Sequence, residues 1–236
     1  MTRVGLLMCG HVDPRAVRIA GDYPELFASL FGALGVELVR FDADQEDLPA
    51  SLADCDGWIT SPSRSSASDD EPWIHAMADL VQRLVAEERP FAGICFGHQL
   101  MAQALGGRVE RSAAGWGVGA QDYEVVAPRP WMEPFPADRR FRLIASHEDQ
   151  VTALPDDAEL LASAPYCPVA MMAIGSRAIG IQAHPEFTAP LSAALLDLRV
   201  DLIGEAVVQA AHDTLSAGLD RELVAGWIVR FLRASG

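Results

Sequence analysis

The amino-acid order of this 236-residue chain predicts an α/β fold, a mostly parallel sheet flanked by helices with antiparallel additions and a C-terminal helical tail. Three observations carry the prediction. Short apolar runs alternate with helix-periodic stretches at the front, β-rich pieces punctuated by Pro and Gly fill the middle, and the end is patterned as helix.

Residues 4–9 are an apolar run of the kind a buried strand needs, 23–34 read as helix, and 36–41 are β-rich. A further strand at 57–61 leads into a Ser-rich loop. Trp73, Ile74, Met77, Leu80, Val81, Leu84 and Val85 share one helical face. Asp69, Asp70 and Glu71 precede that face and Pro72 sits in its first turn, where acids and proline belong. Residues 91–95 form the next strand, and 96–105 a helix stopped by Gly106-Gly107. The pieces 122–126, 141–145, 159–162, 169–173 and 178–182 read as the antiparallel addition. Leu223, Val224, Trp227, Ile228, Phe231 and Leu232 form an apolar stripe behind Asp220, a fair N-cap. Residues 1–236 are expected to make one domain, with about 190–236 a docked helical extension.

The net charge of −15 disfavours nucleic acid and anionic membranes, which require clustered cations. No apolar run approaches the ~18 residues of a spanning helix, and the first residues run directly into a strand. Cys9, Cys55, Cys95 and Cys167 are widely spaced, which predicts neither a zinc site nor a disulfide framework and suits a cytoplasmic protein. No metal or cofactor is expected.

The chemistry concentrates in two segments. In Gly93-Ile94-Cys95-Phe96-Gly97-His98-Gln99 a cysteine stands where a strand ends and a helix begins, with glycine on both sides. Such an elbow aims the nucleophile outward, and the helix N-terminus favours a thiolate and holds an oxyanion. In Gly180-Ile181-Gln182-Ala183-His184-Pro185-Glu186 a strand delivers a histidine, and a carboxylate two residues on can face the same side. A thiol needs a base, and the base an acid that fixes its tautomer, so Cys95, His184 and Glu186 form a candidate triad. His98 and His147 read as helix-surface or loop histidines, and Cys9, Cys55 and Cys167 as core residues.

These two segments resemble the paired signatures of the class I, triad-type glutamine amidotransferases. Gly21-Asp22-Tyr23-Pro24, Asp69-Asp70-Glu71-Pro72-Trp73-Ile74, Gly115-Trp116-Gly117-Val118-Gly119 and Ser146-His147-Glu148-Asp149 extend the likeness toward the γ-glutamyl peptidases and the amidotransferase domain of GMP synthase. The resemblance implies a flavodoxin-like sheet and attack of Cys95 on a γ-glutamyl amide, with His184 moving the proton and Glu186 orienting it. It makes the Phe96 N–H one oxyanion donor and Gln99, Gly93, Gly97 and His147 substrate contacts. It departs at Ser61-Pro62-Ser63-Arg64, where the family usually has glycine. Proline has no N–H, so aligning Pro62 with the first glycine leaves Ser63 as the second donor. The small-molecule substrate is then glutamine, with ammonia passed to a separate synthetase, or a γ-glutamyl peptide or conjugate. A catalytically idle binding or regulatory protein is the rival that the Pro62 loop suggests.

Overall fold

The computed structural model describes residues 1–234. Nine strands form one sheet. Its parallel half contains β1 (Thr2–Leu7), β2 (Val36–Phe41), β3 (Gly57–Thr60), β4 (Phe91–Ile94) and β11 (Ala178–Ile181). The antiparallel half contains β6 (Gly117–Val125), β7 (Arg140–His147), β9 (Ala158–Ala164) and β10 (Cys167–Ile174). The order across the sheet is β2-β1-β3-β4-β11-β10-β9-β6-β7. The pieces at 122–126, 141–145, 159–162 and 169–173 are present as β6, β7, β9 and β10, each longer than the sequence marked, but the piece at 178–182 is no part of that addition: it forms β11, which pairs parallel with β4 and is antiparallel only to β10. Two strands were not anticipated: β5 (Arg108–Arg111) and β8 (Asp149–Ala153) pair antiparallel in a ribbon of their own.

Apolar residues pack on both sheet faces. One layer carries α2 (Tyr23–Gly32) and α8 (Arg221–Ala234), whose Phe27, Phe31, Trp227, Ile228 and Phe231 are buried together. The other carries α3 (Pro72–Ala86) and α4 (Phe96–Ala104), with Trp73, Met77, Leu80, Leu84 and Leu100 buried. The α3 stripe is the face predicted from spacing. The chain also adds α1 (Val17–Ala20), α5 (Ala189–Asp197), α6 (Val200–Ile203) and α7 (Glu205–Thr214). Among the described residues no helix is long and apolar enough to cross a membrane.

Two local devices place the site. Asp22 caps α2 in a box with Glu25, and its carboxylate also accepts the Val12 N–H at 2.8 Å. That explains the Gly21-Asp22-Tyr23-Pro24 match: the cap fixes the loop after β1 and delivers Tyr23 to the strand ends. Asp220 stands at the N-cap position of α8, its carbonyl accepting the Val224 N–H at 3.0 Å, and its carboxylate accepts the Arg142 N–H on β7 at 2.7 Å. This bond, and the Asp220 N–H to Arg142 O at 2.8 Å, dock the start of α8 against the sheet.

Candidate active site

Cys95 follows β4 and His184 follows β11, and these strands are parallel neighbours, Gly180 opposite Gly93 and Ile181 opposite Ile94. Both residues thus emerge at the carboxyl end of the sheet, where open α/β sheets bind ligands. Cys95 adopts φ 48° and ψ −95°, a conformation that L-residues rarely hold. The strain is of order 1–3 kcal/mol and surrounding contacts must sustain it. The glycines supply the room. A Cβ on Gly93 would lie 2.5 Å from the Gly97 carbonyl, and one on Gly97 would overlap the Thr60 side chain. Neither glycine lines the cleft, so what the structure gives both is a packing role behind the nucleophile.

His184 Nδ1 meets Glu186 Oε1 at 2.8 Å, both side chains buried. A carboxylate oxygen only accepts, so Nδ1 carries the proton, and Nε2 is buried without a hydrogen-bond partner among the described residues. The ring stacks on Phe187 with centroids 4.1 Å apart, and Phe187 stacks on Tyr23. Burial lowers the basicity of His184, but the charges of Cys95 and Glu186 and the Glu186 hydrogen bond outweigh it, raising its pKa to about 10. The loop is held from the far end of the chain: Arg221 donates to the carbonyls of Pro185 at 3.0 Å and Glu186 at 3.1 Å.

The cleft over Cys95 has a volume of about 410 Å³. Ser63, Phe96, Gln99, His147 and His184 from the sequence-marked set line it with Cys95, and Glu186 lies behind His184. The Phe96 and Ser63 N–H groups find no acceptor among the described residues, as two oxyanion donors require. The Ser61–Arg64 loop is well anchored. The Ser61 N–H donates to Leu7 O at 2.9 Å, and its Oγ accepts the Cys9 N–H at 2.8 Å and donates to Pro62 O at 3.1 Å. Ser63→Pro removes the donor, and the expected loss in kcat is ~10²–10³. Ser63→Ala keeps the N–H and stays near wild type. Equal losses in both variants, measured by ammonia or amine release, would exclude the backbone donor.

Several contributors were not marked as functional from sequence. The Gln182 Nε2 donates to Cys95 Sγ at 3.6 Å, while Gln99 Nε2 donates to Gln182 Oε1 at 3.1 Å and to Asp149 O at 2.6 Å. A buried amide chain therefore links Asp149, at the start of β8, to the Cys95 sulfur, and Gln99 is part of it. The Gln182 position inside the His184 signature was visible; its partners were not. Arg199 enters the cleft from the tail, donates to Ser146 Oγ at 3.1 Å and has no ion-pair partner among the described residues. Burial pushes its guanidinium pKa down. Glu148 and Asp149 line the same cleft. His98, expected on a helix surface, is fully buried against Gly180, which lowers its pKa to about 4.

Residues 23–198 match the family described as glutamine amidotransferase class-I. The chain belongs to that family. The class-I chain is 32% identical over 213 residues to γ-glutamyl peptidase 4 of Arabidopsis thaliana, covering 87% of this chain and 83% of that protein. It is 30% identical over 176 residues to a glutamine-hydrolysing GMP synthase subunit of Methanopyrus kandleri, covering 70% and 84%. A glutamine amidotransferase structure from Thermotoga maritima shares the class-I fold with a TM-score of 0.76 at 22% identity, covering 98% of this chain and 96% of that one.

Proposed function

We propose that this chain hydrolyses a γ-glutamyl amide through a covalent thioester on Cys95. The observation that carries the reading is the Cys95–His184–Glu186 alignment on neighbouring strands, beside two unspent N–H groups. The Cys95 thiolate adds to the amide carbonyl, and the oxyanion is held by the Phe96 and Ser63 N–H groups. His184 gives its proton to the leaving nitrogen as the C–N bond breaks. Water, deprotonated by His184, then attacks the thioester, and the acid and the thiol are regenerated.

The cleft suits the zwitterionic end of a γ-glutamyl group. Arg199 offers an unpaired guanidinium for a carboxylate, while Glu148 and Asp149 offer carboxylates for an ammonium. The γ-glutamyl peptidase relatives favour a peptide or conjugate as substrate. The GMP synthase relatives support a second reading, with glutamine as donor and a synthetase as partner.

The deciding measurement compares turnover of glutamine with that of γ-glutamyl dipeptides, following released ammonia or amino acid. Higher kcat/KM for the dipeptides is expected. Glutamine turnover alone, stimulated by an added synthetase, would establish the second reading. Absence of turnover, with Cys95 unlabelled by a glutamine-like chloroketone, would leave an idle binding protein.

A further inference from the structure

The catalytic cleft carries more positive charge than a γ-glutamyl group uses. Its charged lining is Arg64, Asp69, Arg111, Glu148, Asp149 and Arg199. Several of these already engage one another. Arg111 Nε lies 3.2 Å from Glu148 and 3.9 Å from Asp149, and the Asp69 carboxylate accepts the Ser66 N–H at 2.8 Å. Arg199 is half-buried, and the α-carboxylate of a γ-glutamyl group accounts for it. Arg64 is left over.

The Arg64 side chain is 65% exposed, yet it lines the same cleft as Cys95. Among the described residues its one ionic neighbour is Asp13, whose Oδ2 lies 3.9 Å from Arg64 Nη1, beyond hydrogen-bond distance. Asp13 is committed elsewhere. Its Oδ1 accepts the Arg15 backbone N–H and Nε–H, both at 3.0 Å, and its Oδ2 accepts from Arg15 Nη2 at 2.9 Å. An exposed pair as long as Arg64–Asp13 contributes little, so the guanidinium is free to turn to a ligand. The backbone on either side is fixed. The Ser61 N–H donates to Leu7 O at 2.9 Å, and the Ser66 hydroxyl donates to the Asp149 carboxylate at 2.7 Å. Burial first, and then the charge of Arg64, hold the Arg199 pKa down, so the two guanidinium groups are close enough to repel. Two like charges converging on one cleft match a ligand with two anionic groups. A γ-glutamyl group supplies one carboxylate, which leaves the other to the leaving amine.

Position along the chain agrees. Arg64 directly follows Ser63, whose N–H is assigned to the oxyanion, so their Cα atoms are ~3.8 Å apart. The leaving nitrogen is bonded to the same carbonyl carbon that bears the oxyanion. Arg64 is also the more exposed of the two arginines, as suits a contact to a product that departs into solvent.

We propose that Arg64 reads a carboxylate on the leaving amine, and that the preferred substrate is a γ-glutamyl amino acid, with glutamine and γ-glutamyl derivatives of uncharged amines disfavoured. The assignment rests on the γ-glutamyl hydrolase reading and narrows it. Each carboxylate of the substrate then meets one guanidinium.

The test uses the full-length Cys95→Ser protein, so that binding is read without turnover. Calorimetric titration compares γ-glutamyl-alanine with γ-glutamyl-alaninamide, whose leaving carboxylate is blocked, and γ-glutamyl-ethylamide, which lacks one. γ-Glutamyl-alanine is expected to bind roughly tenfold more tightly than either, or better. Arg64→Gln should bring the three within about threefold of one another, and Arg64→Lys should keep part of the preference. Arg64→Glu should reverse it in favour of γ-glutamyl-(2-aminoethyl)amide, whose leaving group is cationic. Equal binding of the three compounds, no saturable binding, or a preference that survives Arg64→Gln would overturn the assignment. Wild-type protein that hydrolyses none of them, while Cys95→Ser keeps the Arg64-dependent preference, would sink the hydrolase reading and leave the subsite standing. Wild-type turnover with equal kcat/KM for the free and blocked carboxylates would do the opposite.

Discussion

Cys95→Ser is expected to abolish amidase turnover, a loss of about 10⁴–10⁶ in kcat, as when a nucleophile is removed from an intact triad. Iodoacetamide at neutral pH should modify Cys95 first, with inactivation tracking one adduct per chain. All four thiols are free and buried, so exposure alone does not select among them. Chemistry does. Burial, first among the causes, pushes the Cys55 pKa up to about 11, the Cys167 pKa up to about 12 and the Cys9 pKa higher still. Those three remain protonated and unreactive. Cys95 alone stands at the open cleft, with the Gln182 amide donating to its sulfur and the His184 imidazole beside it. Peptide mapping that finds the first adduct on Cys9, Cys55 or Cys167 would refute the assignment.

His184→Ala should fall nearly as far, and Glu186→Gln should retain about ten- to a hundredfold more activity than His184→Ala. Removing the base loses both thiolate activation and protonation of the leaving nitrogen. Removing the carboxylate leaves a base that Phe187 stacking still holds in place. Stability should show the coupling as well. The folded His184 pKa, about 10, lies above its ordinary 6.5, so its contribution is complete below pH 6.5 and lost as pH rises toward 10. Glu186→Gln removes one of the groups raising it. The difference in unfolding free energy between wild type and Glu186→Gln should therefore shrink from pH 7 to pH 10, measured by denaturant titration. A constant difference would show that Glu186 acts on packing alone. Full activity in His184→Ala would transfer the base to His147.

The inner strands β3 and β4 were legible because they are buried along their whole length and appear as short unbroken apolar runs. The β5–β8 ribbon was not: Arg108-Val109-Glu110-Arg111 is largely exposed and carries no apolar period. Its pairing is a tertiary fact. The same division runs through the site. Cys95, His184 and Glu186 stood out because the elbow and the strand-borne His-x-Glu are local patterns. Arg199, Arg221 and the Gln99–Gln182 amide chain act through partners distant in sequence, the two glutamines being 83 residues apart, and nothing beside them in the chain announces those partners.

The hold of Arg221 on the Pro185 and Glu186 carbonyls has a consequence for biosynthesis. A nascent chain that has just exposed Glu186 already contains every atom of the proposed triad, but nothing yet braces the loop that carries its carboxylate. The brace arrives only when α8 has left the ribosome and docked. The ordering of the loop that carries Glu186 is thus tied to the docking of the tail.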